Sequence, residues 1–335
     1  MMKKTFLMLA LALPLFCTAQ QRPPMRSSEP VEMPDTHDPV VAKCGDTYYL
    51  FSTGFGISVM SSQDLKLWKR EKPVFSEAPA WAVEALPGFR GHIWAPDIIR
   101  HDGQWYLFYS CSAFAKNTSL IGVAVNKTLD PSSPDFEWRD MGLVLRSVPN
   151  RDMWNAIDPN VVVDEQGTPW MNFGSFWEGI KMVKLDADMT RLAEPQEWYS
   201  LSRRPRKPTE ADTDPGSGAV EAPFIFRRGD YYYLFVSFDY CCRGAESDYK
   251  VAVGRSKSVT GPYLDREGTD MVQNGGEVVV AGNERFPGVG HCSVYRFEEK
   301  DYLFFHAYDM NDHGRSKLLV REIRWDDQGW PTVEL

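Results

Sequence analysis

The chain has 335 residues, of which 43% are hydrophobic and 13% aromatic, so it is long enough for one large all-β domain or two ordinary domains. Its formal net charge of −9 argues against nucleic acid or an anionic membrane as partner, because either would favour a basic face. A neutral or cationic ligand fits this charge better.

The N-terminus has the pattern of a secretory signal. Lys3 and Lys4 precede an apolar run that ends in small residues near Ala19, so residues 1–19 are predicted to be a signal peptide and residues 20–335 an exported protein, periplasmic or extracellular. A lipoprotein acylated at Cys17 is the less favoured alternative, since bulky Phe16 stands where that processing prefers a small residue. No later segment has about 18 uninterrupted apolar residues, so no membrane span is predicted.

An odd number of cysteines follows the predicted signal, which leaves at least one thiol free in an exported protein. These residues are Cys44, Cys111, Cys241, Cys242 and Cys292. The adjacent pair Cys241 and Cys242 could form a vicinal disulfide, but two buried thiols at a strand end are the favoured interpretation. No cysteine spacing resembles a zinc site.

One pattern recurs along the chain: a short polar entry, apolar residues, a turn and then an aromatic strand. In chain order the copies are HDPVVAKCGDTYYLFST, WAPDIIRHDGQWYLFYS, IDPNVVVDEQGTPWMNFGS, EAPFIFRRGDYYYLFVS and GHCSVYRFEEKDYLFFHAY. Each copy predicts a β-hairpin, because two β-rich runs flank residues typical of tight turns.

Alignment of the copies places Pro39, Pro96, Pro159 and Pro223 at one position, with Cys292 there in the fifth copy, at intervals of about 60 residues. A period of that length with several short strands per copy is typical of a propeller blade. The sequence therefore predicts an all-β, five-bladed β-propeller over residues 20–335. A pair of β-sandwiches is the alternative, but no linker separates the copies. Residues 203–218 are predicted to be a loop near the site.

The residues just before the aligned position are expected to face the central channel. They are His37 and Asp38, Trp94 and Ala95, Ile157 and Asp158, Glu221 and Ala222, and Gly290 and His291. Any one of the acids alone is more typical of a turn than of a catalyst. Three carboxylates converging on one channel, however, would repel each other and raise at least one pKa, which is typical of functional sites.

Paired carboxyl groups and aromatic surfaces suit glycoside hydrolysis, in which one carboxylate activates water and one carboxylic acid protonates the leaving oxygen. Trp94 is expected to contact substrate because it occupies the channel position. Phe114 and Trp177 lie in predicted loops, where rim packing and sugar stacking are both open; Trp81 and Trp154 share that ambiguity.

Seven motifs together resemble glycoside hydrolase family 43, and within it the endo-acting α-1,5-L-arabinanases. They are HDP, WAPDI, NAIDP, GSFWEGI, VEAPFIF, FDYCCRG and GVGHCSV, and they extend over the whole chain after the signal. The resemblance implies a five-bladed propeller that hydrolyses internal bonds of arabinan with inversion, for which the acid and base lie about 6.5–9.5 Å apart.

The resemblance also implies residue roles. Asp38 would be the general base, Glu221 the general acid and Asp158 the residue that tunes and orients the acid. The positions matching sugar subsites are His37, Trp94, Asn155 and Ser175. His291 would face a calcium or similar ion in the channel, bound mainly through waters.

Two other functions remain open at this stage. An exo-acting α-L-arabinofuranosidase or β-xylosidase would use the same fold, with loops closing one end of the cleft. A non-catalytic glycan-binding propeller would have no reason to keep both Asp38 and Glu221. A poly- or oligosaccharide partner and a monomeric state are expected.

Overall fold

The structure is a computed structural model that describes residues 29–335; the predicted signal peptide lies outside the described residues. In chain order the strands are β1 Val40–Cys44, β2 Thr47–Ser52, β3 Gly54–Phe55, β4 Ser58–Ser62, β5 Lys69–Arg70, β6 His92–His101, β7 Gln104–Cys111, β8 Ser119–Asn126, β9 Arg139–Ser147, β10 Asn160–Val163, β11 Pro169–Phe173, β12 Ile180–Lys184, β13 Trp198–Ser202, β14 Val220–Arg228, β15 Tyr231–Phe238, β16 Lys250–Ser256, β17 Glu277–Ala281, β18 Val289–Phe297, β19 Lys300–Asp309, β20 Arg315–Glu322, β21 Arg324–Trp325 and β22 Pro331–Thr332. The helical elements are α1 Ala80–Ala85 and the 3₁₀ turns Gly244–Glu246, Met271–Gln273 and Met310–Asp312. No helix in residues 29–335 is long and apolar enough to cross a bilayer.

Within residues 29–335 the strands form five main antiparallel sheets arranged as blades. Blade 1 is β1-β2-β4-β5, blade 2 is β6-β7-β8-β9 with β3 added to β6, blade 3 is β10-β11-β12-β13, blade 4 is β14-β15-β16-β17 and blade 5 is β18-β19-β20. The first strands contact one another in a cycle: β1 with β6, β6 with β10, β10 with β14, β14 with β18 and β18 with β1. The sheets therefore close into a ring, and the predicted five-bladed propeller is confirmed.

The N-terminal segment completes the last blade. The Leu318 amide donates to the Pro34 carbonyl at 3.0 Å, and the Thr36 amide donates to the Ser316 carbonyl at 3.1 Å. Residues 34–36 thus run along β20, immediately before the chain enters β1. Because residues 34–36, which precede blade 1, pair with β20 of blade 5, the ring is closed by backbone hydrogen bonds as well as by packing.

The hydrophobic core lies between neighbouring blades. Consecutive residues of one strand serve opposite interfaces, since side chains alternate across a sheet. The pairs Leu50 and Phe51, Leu107 and Phe108, Leu234 and Phe235, and Phe304 and Phe305 are buried in this way in different clusters. Both faces of each sheet are covered, which explains why these strands read as continuous apolar runs rather than as alternating patterns.

Candidate active site

Each first strand enters the channel through a residue with left-handed backbone. The five residues are Asp38 (φ 57°), Ala95 (φ 41°), Asp158 (φ 56°), Ala222 (φ 54°) and His291 (φ 48°), each directly before the aligned proline or Cys292. A left-handed non-glycine residue costs roughly 1–2 kcal/mol, and such positions cluster at functional sites. The alignment of the five copies, made from sequence, is therefore repeated in the backbone.

A second repeated position satisfies the amides of these left-handed residues. The side chain at the end of a blade's second strand accepts the amide hydrogen of the left-handed residue in the next blade. The bonds are Ala95 to Thr53 at 2.8 Å, Asp158 to Ser110 at 3.1 Å, His291 to Ser237 at 2.8 Å and Asp38 to His306 at 3.2 Å. Sequence reasoning missed these polar residues, although each of them stands near the end of its aligned copy.

One left-handed residue, Ala222 beside Glu221, lacks this hydrogen bond to the second strand of the preceding blade. Blade 3 has Gly174 at the equivalent position, which has no side chain to accept a hydrogen bond. The Ala222 amide instead donates to Oδ2 of Asp158 at 3.2 Å. Asp158 therefore takes over the acceptor role at the residue that follows Glu221, and its carboxyl group is tied to the backbone that positions Glu221.

Asp38 is buried among positive or polar groups. Its Oδ1 lies 2.9 Å from Nδ1 of His291 and 3.0 Å from Nδ1 of His37, and its Oδ2 accepts a short hydrogen bond from the Thr53 hydroxyl. Burial raises the pKa of Asp38, but the charges and hydrogen bonds of the two histidines outweigh it and hold that pKa well below its usual range. Asp38 is therefore ionised at neutral pH.

Glu221 has a different environment. The Ser175 hydroxyl donates to Oε2 at 2.7 Å, and the Tyr249 hydroxyl donates to Oε1 at 2.8 Å. Hydroxyl groups can donate to a carboxylate or accept from a carboxylic acid, so they orient Glu221 in both protonation states. No described cation pairs with Glu221 within salt-bridge distance, whereas Asp38 has imidazole neighbours.

Asp158 is the carboxyl group whose protonated form is favoured. Burial raises its pKa to about 8; the positive His291 opposes this, while the charges of Glu221 and Asp38 add to it. The sequence predicts that crowding raises the pKa of at least one carboxyl group, and the raised pKa of Asp158, to which the charges of Glu221 and Asp38 contribute, agrees with that expectation. At neutral pH a protonated Asp158 leaves Asp38 as the charged partner of His291.

His291 carries the compensating positive charge. Burial lowers its pKa, but the carboxylates of Asp38, Asp158 and Glu221 outweigh that effect and raise it to about 9. An imidazolium holds protons on both ring nitrogens, so Nδ1–H of His291 donates to the Asp38 carboxylate at 2.9 Å. His291 is thus placed as the partner of Asp38.

The donor atoms here do not match a directly coordinated calcium ion. Among residues 29–335 the group that brings possible metal ligands together is His37, Asp38 and His306, with donor atoms within 4.8 Å of one another. Calcium prefers about six to eight oxygen ligands, while this group offers one carboxylate and two imidazoles. His306 Nδ1 is already used by the Asp38 amide. An ion bound through waters stays a prediction that metal analysis of the purified protein would test.

The predicted sugar-subsite residues fall into different settings. His37 Nε2 is 3.0 Å from the Tyr308 hydroxyl, and Ser175 contacts Glu221. Asn155 is buried, and its Oδ1 accepts from Ser119 at 2.6 Å. Trp94 is half-buried beside the channel. Phe114 is 76% exposed on the loop after β7, so its ring remains available to a ligand.

Of the two roles left open for Trp177, packing agrees with the structure and sugar stacking does not. Its side chain is only 1% exposed, and its indole N–H donates to the Asp212 carbonyl at 2.9 Å. Its amide donates to the Pro215 carbonyl at 3.2 Å. Trp177 therefore anchors the loop of residues 203–218 next to Glu221. A loop position in the sequence does not reveal whether a tryptophan points outward or holds its neighbours.

The favoured interpretation of Cys241 and Cys242 as buried thiols is wrong. They form a vicinal disulfide in the loop after β15, and Cys242 is exposed. The Cys242 amide donates to the Tyr308 hydroxyl at 2.7 Å, and Tyr308 contacts His37, which contacts Asp38. The Cys242 amide can only donate to Tyr308, and the Asp38 carboxylate can only accept from His37 Nδ1–H, so the direction of the hydrogen bond is fixed at both ends of this chain.

Replacement of His291 by Gln is expected to move the acid limb of the kcat/KM profile to higher pH. The amide keeps a hydrogen-bond donor but removes the positive charge, so the pKa of Asp38 rises and Asp38 becomes protonated at a higher pH; His37, His306 and Thr53 still face it. The pH dependence of initial rates measures this shift.

The matched control is His101→Gln, since His101 and Asp102 form an adjacent His–Asp pair with 3.5 Å between Nε2 and Oδ2 in a surface turn. That variant should keep the wild-type profile. An unchanged acid limb in His291→Gln would show that His291 does not control the ionisation of Asp38.

Two carboxyl groups in different environments face one channel of the propeller: Asp38 is ionised, and Glu221 is bonded to hydroxyl groups. Glycoside hydrolases use this type of site. The sequence model of glycosyl hydrolases family 43 matches residues 27–331. The chain belongs to this family.

Individual relatives are similar over nearly the whole chain. The extracellular exo-α-(1→5)-L-arabinofuranosidase ArbA of Cellvibrio japonicus is 54% identical over 90% of this chain and 86% of its own length. The extracellular endo-α-(1→5)-L-arabinanase 1 of Bacillus subtilis is 40% identical over 88% of this chain and 87% of its own. A solved structure of Cellvibrio cellulosa α-L-arabinanase complexed with arabinohexaose matches with a TM-score of 0.89 and 52% identity, covering 90% of this chain and 96% of that one.

Proposed function

We propose that this protein is an exported hydrolase that cleaves α-1,5-L-arabinofuranosidic bonds of arabinan with inversion at the anomeric carbon. The observation that carries the proposal is the contrast between the two carboxyl groups. Asp38 is held ionised by imidazoles, and Glu221 is held by neutral hydroxyls. Two carboxyl groups in opposite environments are the arrangement that separates a base from an acid.

The positions of the two groups in the ring support inversion. Asp38 precedes β1 of blade 1 and Glu221 lies on β14 of blade 4, and these first strands are not neighbours in the cycle. An inverting enzyme must fit a water between its base and the sugar, whereas a retaining enzyme needs its two carboxyl groups closer together. Non-adjacent blades give the wider separation.

In the proposed reaction, Asp38 accepts a proton from the attacking water while Glu221 donates a proton to the leaving glycosidic oxygen. The histidines keep Asp38 ionised in the resting protein. Protonated Asp158 adds no negative charge near Glu221, and its bond to the Ala222 amide fixes the backbone beside the acid. The hydrogen bonds from Ser175 and Tyr249 hold the Glu221 side chain in one orientation during proton transfer.

For the mode of attack we favour cleavage from a chain end. The relative named as an exo-acting enzyme shares 54% identity with this chain, compared with 40% for the relative named as endo-acting. The loop of residues 203–218, anchored by Trp177 beside Glu221, is a candidate for closing one end of the cleft. Endo-cleavage, which the sequence motifs favour, is the second candidate because a relative with that name matches nearly as much of the chain.

The lengths of the first products released from linear α-1,5-arabinan test this proposal. Exo-action predicts one short product from the earliest time point, with slow loss of viscosity. A ladder of oligosaccharides with rapid loss of viscosity would establish endo-action instead. Absence of any hydrolysis of arabinan, together with activity on a β-xyloside or with binding alone, would overturn the proposed function. Export is supported by relatives named extracellular, and a monomeric state stays a prediction.

A further inference from the structure

We propose that Phe55 and His92 extend the sugar subsite predicted at Trp94 into a platform beside the catalytic channel, which holds a pentofuranose ring of the substrate away from the bond that is cleaved. The inference rests on the proposed function and adds a binding position to it. We refer to these three residues as the Phe55 platform.

Phe55 occupies a place in blade 1 that corresponds to that of Phe114 in blade 2. Each follows the second strand of its blade, so both lie on the channel face where the left-handed residues also lie. Phe55 is 71% exposed and Phe114 is 76% exposed, and among the described large hydrophobic residues the next value is 50% at Val278. The sequence motifs drew attention to Phe114 and gave no signal for Phe55.

The backbone under Phe55 is tightly held. Phe55 lies in β3, which leaves blade 1 and pairs with the first strand of blade 2. Gly56 has φ 67°, a side chain there would collide with the Phe75 carbonyl, and the Gly56 amide donates to the Gly91 carbonyl at 2.9 Å. A side chain on Gly54 would likewise collide with a neighbour. The exposed ring is therefore presented on a constrained loop, which lowers the entropy cost of binding a ligand on it.

The neighbours of Phe55 fix the rest of the platform. Its ring meets the His92 imidazole edge to face, with 5.1 Å between centroids. The Trp94 indole N–H donates to His92 Nδ1 at 3.0 Å, which places the remaining imidazole proton on Nε2. The platform thus offers apolar ring surface and an N–H donor without a formal charge.

The platform is continuous with the catalytic channel. Trp94 stands one residue before left-handed Ala95, whose amide is bonded to Thr53, and Thr53 bonds to Asp38. The pKa of His92 is lowered, chiefly by partial desolvation, and the Asp38 carboxylate opposes that shift, so His92 lies within electrostatic reach of the base. One chain of sugars can therefore extend from the channel onto the platform.

These features favour a neutral sugar as occupant. The C–H face of a furanose ring packs on aromatic carbon, while its hydroxyl oxygens accept from N–H donors. A large exposed aromatic group at the rim of a binding channel is typical of a ligand contact rather than of a bare surface. The repeating unit of the substrate supplies such a ring one or more residues away from the cleaved bond.

The test compares Phe55→Ala with the wild type on α-1,5-linked arabino-oligosaccharides from the disaccharide to the octasaccharide. Loss of one stacking contact is expected to lower kcat/KM by about tenfold on the longer substrates, mainly through KM, with a much smaller change on the disaccharide. Phe55→Tyr should restore most of the loss because it keeps the ring. The control Val278→Ala removes an exposed apolar side chain on β17, the last strand of blade 4, and should match the wild type at every length.

Binding measurements separate failure of the platform from failure of the proposed function. Hexasaccharide is titrated into Glu221→Gln, with and without Phe55→Ala. Weaker binding in the double variant supports the platform even if the wild type fails to hydrolyse the series, an outcome that would overturn the proposed function alone. Two results would overturn the platform alone, provided that the wild type hydrolyses the series. One is an equal loss of kcat/KM in Phe55→Ala at all substrate lengths, and the other is no loss at any length.

Discussion

Replacement of Glu221 by Gln is expected to lower kcat on linear arabinan by about 10²–10⁴-fold, the contribution typical of a positioned general acid. The amide oxygen can still accept from one of the two hydroxyls of Ser175 and Tyr249 and the amide NH₂ can donate to the other, so the local structure should persist, but the amide has no acidic proton to give the leaving oxygen. Steady-state rates on arabinan, together with thermal unfolding to confirm the fold, measure this effect.

A substrate that needs no proton on departure provides the internal control. With an aryl arabinofuranoside whose phenol is a good leaving group, Glu221→Gln should lose far less activity than on arabinan. Ser175→Ala keeps the acid and loosens one of its two hydroxyl contacts, so a smaller loss is expected. Equal losses of Glu221→Gln on both substrates would show that Glu221 is not the acid.

Replacement of Asp38 by Asn is expected to abolish activity on both kinds of substrate, with a loss of at least about 10²–10⁴-fold, because water must be activated whatever the leaving group is. The variant also leaves His291 without its ion-pair partner. Loss of one member of a buried pair costs about 3–5 kcal/mol, unless the remaining group changes its protonation state. A lower Tm is therefore expected along with the lost activity, most clearly at acidic pH, where His291 stays charged.

Asp102→Asn is the matched control, since it removes the carboxylate of the surface pair with His101. It should change neither kcat nor Tm appreciably. If Asp38→Asn kept activity on the aryl substrate while losing it on arabinan, Asp38 would be acting on the leaving group and the two proposed roles would have to be exchanged.

The architecture could be predicted from the sequence because its repeat is local. Each blade begins with the same polar entry and hairpin, and the position marked by Pro39, Pro96, Pro159, Pro223 and Cys292 follows the left-handed residue in every copy. The acids one or two residues before that position could be found for the same reason. A ring brings equivalent positions together, so a one-dimensional alignment was enough to place Asp38, Asp158 and Glu221 on one channel.

What the sequence did not reveal depends on contacts between blades. The side chains of Thr53, Ser110, Ser237 and His306 accept hydrogen bonds from the next blade, and the alignment of the copies shows their repetition but not these partners. The burial of Trp177 follows from the path of the loop at residues 203–218. The disulfide between Cys241 and Cys242 depends on a turn after β15 that no strand pattern describes.

The geometry of the two carboxyl groups has one direct chemical consequence, the configuration of the newly formed sugar. Proton NMR of the first product, recorded before mutarotation, tests it on an α-linked arabino-oligosaccharide. A water activated by Asp38 opposite a bond protonated by Glu221 predicts the β-anomer as the initial product. Initial release of the α-anomer would contradict this account, because it would require a covalent intermediate or attack from the side of the leaving group.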